Sequence, residues 1–250
     1  MASTILPTPS SASIPGARRT SELTRDRLSL CVTTAEESAA RDHQAIASGI
    51  PSFTLMLNAG TLAAEYVLRT HDGRLSQGVE VHAGAGNNGG DAYVVAAQLA
   101  RAGVRVELHV AAPPKTDDAI RAAALAAAAM RSPEFESAPS ETGCAVVIDG
   151  LLGTGHRGPL RAFVCAHTSR IAEQRAKGAH VLALDIPTGV DSTTGVVVPS
   201  AVTADTTITF GTVKRGLVIA RQMTGRIVLG DIGLGDFANA ADHAWCVPTL

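Results

Sequence analysis

Short apolar segments alternate with amphipathic segments along most of the chain. GVEVHAG, VRVELHV, CAVVIDGLL, HVLALD, TTITF and RIVLGD are the apolar segments, and the stretches between several of them have helical patterns. Strands that alternate with helices of about ten to twenty residues are typical of βαβ units. The pattern therefore predicts an α/β fold with a mostly parallel sheet.

Two helices are predicted before the first of these strands. The stretch from Thr34 to Glu37 matches a capping box, and the helix that it opens should end near Gly49. A second helix should begin at Ser52 and end before the turn at residues 71–73. It is apolar on most faces, which predicts either burial in the core or the interface of a homo-oligomer.

Glycine, proline and alanine indicate where later helices begin, end and pack. Gly103 and Gly178 stand where glycines follow helix ends, and Pro159 stands where a first helical residue is expected. The alanine-rich run at 122–130 is interpreted as a helix with a small-residue face that lies close to its neighbour.

Composition narrows the class of function. The 21 Lys and Arg against 23 Asp and Glu, with 3% aromatic residues, exclude a nucleic-acid or anionic-membrane surface. No apolar stretch reaches the length of a membrane span. The four cysteines are widely separated, which predicts reduced thiols and a cytoplasmic location. Small-molecule chemistry is the remaining expectation.

The domain organisation is expected to be simple. Residues 1–30 are rich in Pro, Ser and Arg and lack an apolar segment, which predicts a disordered N-terminal tail. One domain should span residues 31–236, because no second core is evident. Residues 237–250 are interpreted as a C-terminal tail or a linker.

The stretch HAGAGNNGGDAY contains two features that conflict in a dinucleotide site. Gly84, Gly86 and Gly89 have the G-x-G-x-x-G spacing of a pyrophosphate-binding turn. Asp91, expected in the first turn of the following helix, would compete with a phosphate for the positive helix end. The next strand carries Glu107 in its middle and no ribose-binding acid at its end. A nicotinamide oxidoreductase is therefore disfavoured.

Three acids follow three predicted strands. Asp91, Asp149 and Asp185 each lie in or beside a glycine-rich loop at a strand end. Any one of them would commonly be a loop cap. Three together at one edge of a parallel sheet predict a bound cation or acid–base chemistry. The histidines are scattered in the sequence, and each is expected to be a surface or packed residue.

GAGNNGGD, VIDGLLGTGHRGP, LALDIPTGVDSTTG, TVKRGL and GRIVLGDIGL resemble the NAD(P)H-hydrate epimerase family, the YjeF N-terminal domain. The resemblance covers about residues 34–235. It implies a Rossmann-like three-layer α/β/α sandwich that interconverts the R and S epimers of hydrated NADH and NADPH (NADHX and NADPHX). A non-catalytic ligand-binding or interaction module with the same fold is the alternative.

The resemblance also implies the residues of the site. Its potassium ligands would be Asn88, Asp149 and Thr188. Asp185 would protonate the leaving hydroxyl, and Asp149 would act electrostatically. The substrate would be held by two loops and one acid, namely Asn87, Asn88, Gly89, Gly90, Asp91, Gly153, Thr154, Gly155, His156, Arg157, Gly158, Pro159 and Asp185.

The chain departs from the family's pattern at three positions. Leu57 stands where the family has an acid, Ala92 where a glycine is usual, and Thr188 where a serine is usual. Lys214 matches a family lysine, and a solvated surface lysine is the alternative. The resemblance further implies an ADP- or ATP-dependent NAD(P)HX dehydratase as a fused or separate partner.

Overall fold

The computed structural model describes residues 30–131, 143–234 and 244–245. The predicted tails at 1–30 and 237–250 lie outside the described residues, apart from Leu30 and the strand at 244–245.

Seven α-helices and nine strands make up the described chain, together with a 3-10 helix at Asp72–Gln77. The helices are α1 Ala35–Ala47, α2 Ser52–His71, α3 Asn87–Arg101, α4 Asp117–Met130, α5 Ala162–Ala176, α6 Arg215–Ile219 and α7 Arg221–Thr224. The strands are β1 Leu30–Thr33, β2 Val79–Ala83, β3 Val106–Val110, β4 Val146–Gly150, β5 His180–Leu184, β6 Thr206–Phe210, β7 Val213–Lys214, β8 Arg226–Gly230 and β9 Ala244–Trp245.

The main sheet has six parallel strands in the order β3-β2-β4-β5-β6-β8. This confirms the predicted α/β class with its parallel sheet. In the small second sheet, β1 pairs in parallel with β7 and antiparallel with β9. The order of the main sheet reverses direction after β2, and parallel sheets bind ligands where their strand order reverses.

Helices cover both faces of the main sheet. Helices α2, α3 and α4 pack together on one face, and α5 lies on the other. Strand residues alternate between the two sides: Ile148 and Leu182 belong to the core under α2 and α3, whereas Val147 and Val181 pack with α5. Burial on both faces explains why these strands are nearly continuous apolar runs.

The helix ends match several sequence signals. Thr34 and Glu37 form the predicted capping box of α1. Gly103 and Gly178 directly follow the C-cap residues of α3 and α5, Ala102 and Lys177, with φ angles of 79° and 96° that favour glycine. The apolar faces of α2 are buried in the core, which accounts for their composition within one subunit.

Two predicted helix starts were wrong. Helix α3 begins at Asn87, so Asp91 lies in its second turn and away from the free N–H groups. Helix α5 begins at Ala162, because the chain is still extended at Arg161 (φ −72°, ψ 151°). Pro159 therefore belongs to the preceding loop. Within the described ranges, no helix is both long and apolar enough to cross a membrane.

Gly84 joins the ends of β2 and β4. A Cβ atom at this position would lie 1.8 Å from the carbonyl oxygen of Leu151. We expect Gly84→Ala to lower the free energy of unfolding by about 1–3 kcal/mol, because backbone must shift to admit the methyl group. Gly86→Ala, in the same turn but facing open space, should lower it by less, about 1 kcal/mol or under, the cost of replacing the glycine N-cap of α3 with alanine. Urea denaturation of both variants checks this, and equal midpoints would contradict it.

Candidate functional site

A cleft of about 730 Å³ lies at the carboxyl ends of the central strands. Its size is within the range of small-molecule and cofactor sites. Helices α1 and α2 form one wall, and the turn after β2 and the loop after β4 form the other. Asp185, directly after β5, and Lys214 of β7 also line it.

Most of the predicted substrate-binding residues line this cleft. They are Asn87, Asn88, Asp91, Gly153, Thr154, Gly155, His156, Arg157, Pro159 and Asp185. Gly89, Gly90 and Gly158 are not part of the lining. A Cβ at Gly89 would lie 1.9 Å from the carbonyl oxygen of Gly84, and one at Gly90 would meet Met56. These two glycines permit close packing of the turn that carries the asparagines.

Asp185 has a left-handed backbone conformation, and only one of its two carboxylate oxygens receives hydrogen bonds from the described residues. Its φ angle of 62° lies in the left-handed region, which non-glycine residues occupy mainly where the surrounding structure imposes it. Its Oδ1 accepts hydrogen bonds from Lys214 Nζ at 2.5 Å, Thr209 Oγ1 at 3.3 Å and the Phe210 amide at 3.4 Å. No donor in the described part of the chain reaches Oδ2, so this oxygen is available to a ligand.

Lys214 is a buried residue of the site. Its side chain is 3% exposed, and Nζ also donates to the carbonyl oxygen of Phe210 at 2.8 Å. The reading of Lys214 as a solvated surface lysine is therefore wrong. A buried ammonium group needs a charged partner, and Asp185 provides it.

Asp91 and Asp42 bring two further carboxyl groups to the cleft. The pKa of Asp91 is raised well above its usual value, first by burial and then by the neighbouring Asp185 and Asp42. The pKa of Asp42 is also raised, mainly by burial, although Lys214 opposes the shift. Three acids around one lysine favour retention of a proton within the group.

Sequence reasoning missed Asp42. It lies on α1 on the helical stripe that also carries the buried residues Ala35, Ser38 and Ala45. An acid on the inward-facing stripe of an amphipathic helix is unusual in a folded protein. The helical spacing of Asp42 from the other residues of that stripe was the sequence signal that could have identified it.

Asp149 is fully buried behind the wall of the cleft. Its Oδ1 accepts hydrogen bonds from Thr188 Oγ1 at 2.7 Å and the Leu151 amide at 3.3 Å, and its Oδ2 accepts one from the Thr188 amide at 2.8 Å. Burial raises the pKa of Asp149, while the hydrogen bonds from Thr188 and Leu151 oppose the shift. This carboxyl group thus ties the loop after β4 to the loop after β5.

Asn88 completes a group of oxygen atoms around that contact. Its Nδ2 donates to the carbonyl oxygen of Leu152 at 3.0 Å, and Thr188 Oγ1 accepts from the Leu152 amide at 3.2 Å. The Oδ1 atom of Asn88 is buried, and no hydrogen-bond partner for it lies in the described part of the chain. A buried amide oxygen without a partner is costly, and a hard cation would satisfy it.

Two of the departures from the family's pattern, Leu57 and Ala92, pack in the interior of the fold. Leu57 does not line the cleft and packs against the main core. Ala92 is fully buried next to Gly150. A Cβ atom added to Gly150 would lie 2.5 Å from the Ala92 methyl group.

Histidines gather elsewhere in the structure. Glu80, His82 and His109 form a second group of candidate metal ligands, whose ligand atoms lie within 4.8 Å of one another. His82 is fully buried, in keeping with the expectation of a packed residue, but its position next to His109 was not predicted from the sequence.

The model of the family described as "YjeF-related protein N-terminus" matches residues 52–216 of the chain. This range includes both glycine-rich loops, Asp185 and Lys214. The chain belongs to the YjeF-related N-terminal family. Its relatives include a protein named NAD(P)H-hydrate epimerase from Microbacterium testaceum, 35% identical over 84% of this chain and 82% of that protein.

Other family members are longer. A protein from Archaeoglobus fulgidus, named bifunctional NAD(P)H-hydrate repair enzyme Nnr, is 39% identical over 74% of this chain. A protein of the same name from Methanothermobacter thermautotrophicus is 36% identical over 79% of the chain. The chain spans only 38% and 39% of the length of these two relatives.

A similar fold occurs in a solved structure. The crystal structure of the yeast protein ynu0 matches with a TM-score of 0.66 and 19% identity, over 77% of this chain and 86% of that one. At this identity the match supports the fold, an α/β sandwich, and not the chemistry of the site.

The raised pKa of Asp91 predicts pH-dependent stability. The folded protein holds this proton more tightly than the unfolded chain, so the cost of ionising Asp91 is present at neutral pH. It disappears below the unfolded pKa of about 3.9. Asp91→Asn should therefore unfold at a higher temperature than the unchanged protein at neutral pH, and the difference should shrink as the pH falls.

Thermal unfolding across a pH series measures this difference. Glu65→Gln, on the exposed side of α2, is the matched control and should show no comparable pH-dependent gain. A pH-independent effect of Asp91→Asn would contradict the assignment of a desolvated carboxyl group.

Proposed function

We propose that this chain interconverts the R and S epimers of hydrated NADH and NADPH. The observation that carries the proposal is the carboxylate of Asp185 at the cleft. Its backbone is left-handed, its Oδ1 is bound by Lys214, and its Oδ2 receives no hydrogen bond from the described residues. The names of relatives in the family, NAD(P)H-hydrate epimerase among them, support this activity.

The proposed substrate lies between the two glycine-rich loops. The turn after β2 offers the amides of Asn87 and Asn88 at the start of α3, where backbone N–H groups and the helix dipole favour a pyrophosphate. The loop from Gly153 to Pro159 closes the opposite side. Because Asp91 lies in the second turn of α3, it does not occupy the helix end, and the glycines and the acid are compatible in one site.

The proposed reaction inverts the ring carbon that carries the added hydroxyl group. Proton transfer to this hydroxyl releases water and leaves an iminium-like cation; water then adds to the other face and returns a proton. Asp185 would exchange the proton through Oδ2 and stabilise the cation. Asp91, whose pKa burial raises well above its usual value, is a second group in the cleft that favours the protonated form.

We also propose that Asn88, Asp149 and Thr188 bind a potassium ion. They offer an amide oxygen, a carboxylate and a hydroxyl, and the described donors to Asp149 are all neutral. Potassium prefers several such oxygens in a relaxed geometry. When bound, the ion would neutralise the buried charge of Asp149 and hold the loop after β4 in place.

The proposed partner is an ADP- or ATP-dependent NAD(P)HX dehydratase, which consumes one of the two epimers. The bifunctional names of the longer relatives support this partnership. No role in nucleic-acid binding is proposed, because the net charge of the chain is −2 with both signs dispersed along the sequence. We propose action in the cytoplasm, consistent with the free thiols of Cys144 and Cys165.

Asp185→Asn should slow epimerisation by about 10²-fold or more, because it removes the group that exchanges the proton. Conversion of one resolved epimer of NADHX, followed by chromatography, measures the rate. Binding of NADHX should survive and can be followed by thermal shift, with Glu65→Gln as the control of unchanged rate. Binding without acceleration by the unchanged protein would instead favour the non-catalytic module.

Potassium should raise both the melting temperature and the rate of epimerisation relative to choline chloride at equal ionic strength. Thr188→Ser should keep this potassium dependence because the hydroxyl is retained, and Thr188→Val should remove it. An equal melting temperature and rate in the two salts would contradict the assigned ion site.

A further inference from the structure

Polar side chains occupy core positions of β2 and β3 on the face of the sheet that carries α5. Glu80 and His82 are 3% and 0% exposed, although parallel strands of this kind normally have apolar residues there. His109 is paired in register with His82 on the neighbouring strand. Three strand positions thus bring two imidazoles and a carboxylate together in a place where packing alone favours valine.

The ligand atoms of these three residues lie within 4.8 Å of one another. Glu80 Oε2 lies 3.6 Å from His82 Nε2 and 3.6 Å from His109 Nε2. Around a zinc ion about 2.1 Å from each ligand, tetrahedral ligand atoms lie about 3.4 Å apart. The observed separations therefore leave room for one ion. The half-buried His109 ring stacks on His82 at 4.8 Å, and rotation about its χ2 would direct its nitrogen to that ion.

The contact between His82 Nδ1 and His167 leaves His82 Nε2 available to a metal. His82 Nδ1 lies 2.9 Å from His167 Nδ1, so one of these atoms carries a proton. When His82 is the donor, its Nε2 has a free lone pair. That Nε2 is buried and has no hydrogen-bond partner among the residues that the structure describes. Metal-binding histidines are held in this way, with one nitrogen donating to a neighbour and the other on the ion.

The charges around the group suit a cation. Glu80 and Glu107 both accept hydrogen bonds from Arg170, and Gln174 also donates to Glu80. Two carboxylates and one guanidinium leave a net negative charge. Arg170 holds the Glu80 carboxylate in place and offsets part of that negative charge.

Solvent reaches the group from the edge of the sheet. Strand β3 is the terminal strand of the main sheet, and the side chains of Glu107 and His109 are 38% and 21% exposed. Glu107 Oε1 lies 2.9 Å from His109 Nε2 and is placed to receive an incoming ion.

We propose that Glu80, His82 and His109 form a binding site for a divalent transition-metal ion of the zinc class. A His₂Glu donor set of borderline nitrogen and hard oxygen atoms suits Zn²⁺ or Co²⁺ and disfavours Mg²⁺ and Ca²⁺. The ion would cross-link β2 and β3. The site is separate from the proposed potassium ligands and does not depend on the proposed epimerase function.

Titration of the untagged, chelator-treated full chain with Co²⁺ tests the proposal. We expect one equivalent to bind, with visible absorption bands of four- or five-coordinate cobalt, and Zn²⁺ to displace it. Zn²⁺ should also raise the melting temperature, because an ion that binds only the folded state stabilises it. Mg²⁺ at the same concentration should do neither.

Two variants locate the ion. His109→Gln, at the half-exposed edge, should fold normally and lose at least about 10- to 100-fold in Co²⁺ affinity. His71→Gln removes a histidine that contacts His180, outside the group, and should bind Co²⁺ like the unchanged chain. No cobalt bands in the unchanged chain, or equal affinity in His109→Gln, would overturn the proposal and leave the group as an ion-pair network only.

Discussion

The candidate site depends on one buried carboxylate. Asp149 sits at the end of β4 with no exposed surface, and its two oxygens accept hydrogen bonds from Thr188 and Leu151. These contacts hold the loops after β4 and β5 against each other and set the shape of the cleft between them. Because a buried carboxylate without donors is costly, the loops cannot separate without losing that compensation.

The opposite side of the cleft is organised by Lys214. Its ammonium group is buried and pairs with Asp185, while Asp42 and Asp91 crowd the same space. One positive charge among three carboxyl groups favours a shared proton, which suits a site that exchanges protons with a substrate. The carboxylate of Asp185 lines the cleft, and its residue has a left-handed backbone directly after β5.

Two groups of buried ionisable side chains thus lie in different parts of the described structure. One set lies at the strand ends, where loops converge on the cleft, and the other lies within β2 and β3 beneath α5. His82 stands in register with Asp149 on one side and with His109 on the other, so the two sets are adjacent across a single strand. Binding at the second set would stiffen the strand that leads into the asparagine-bearing turn.

The sequence by itself determined the α/β class, the parallel sheet, the capping box at Thr34 and the glycine ends at Gly103 and Gly178, because these follow from local periodicity and backbone preference. Its motifs also indicated the loops that line the cleft. Tertiary structure decided that Lys214 is buried, that Asp42 joins the acids, and that His82 meets His109. Those contacts join residues far apart in the chain, and strand register and helix packing, which no local pattern encodes, bring them together.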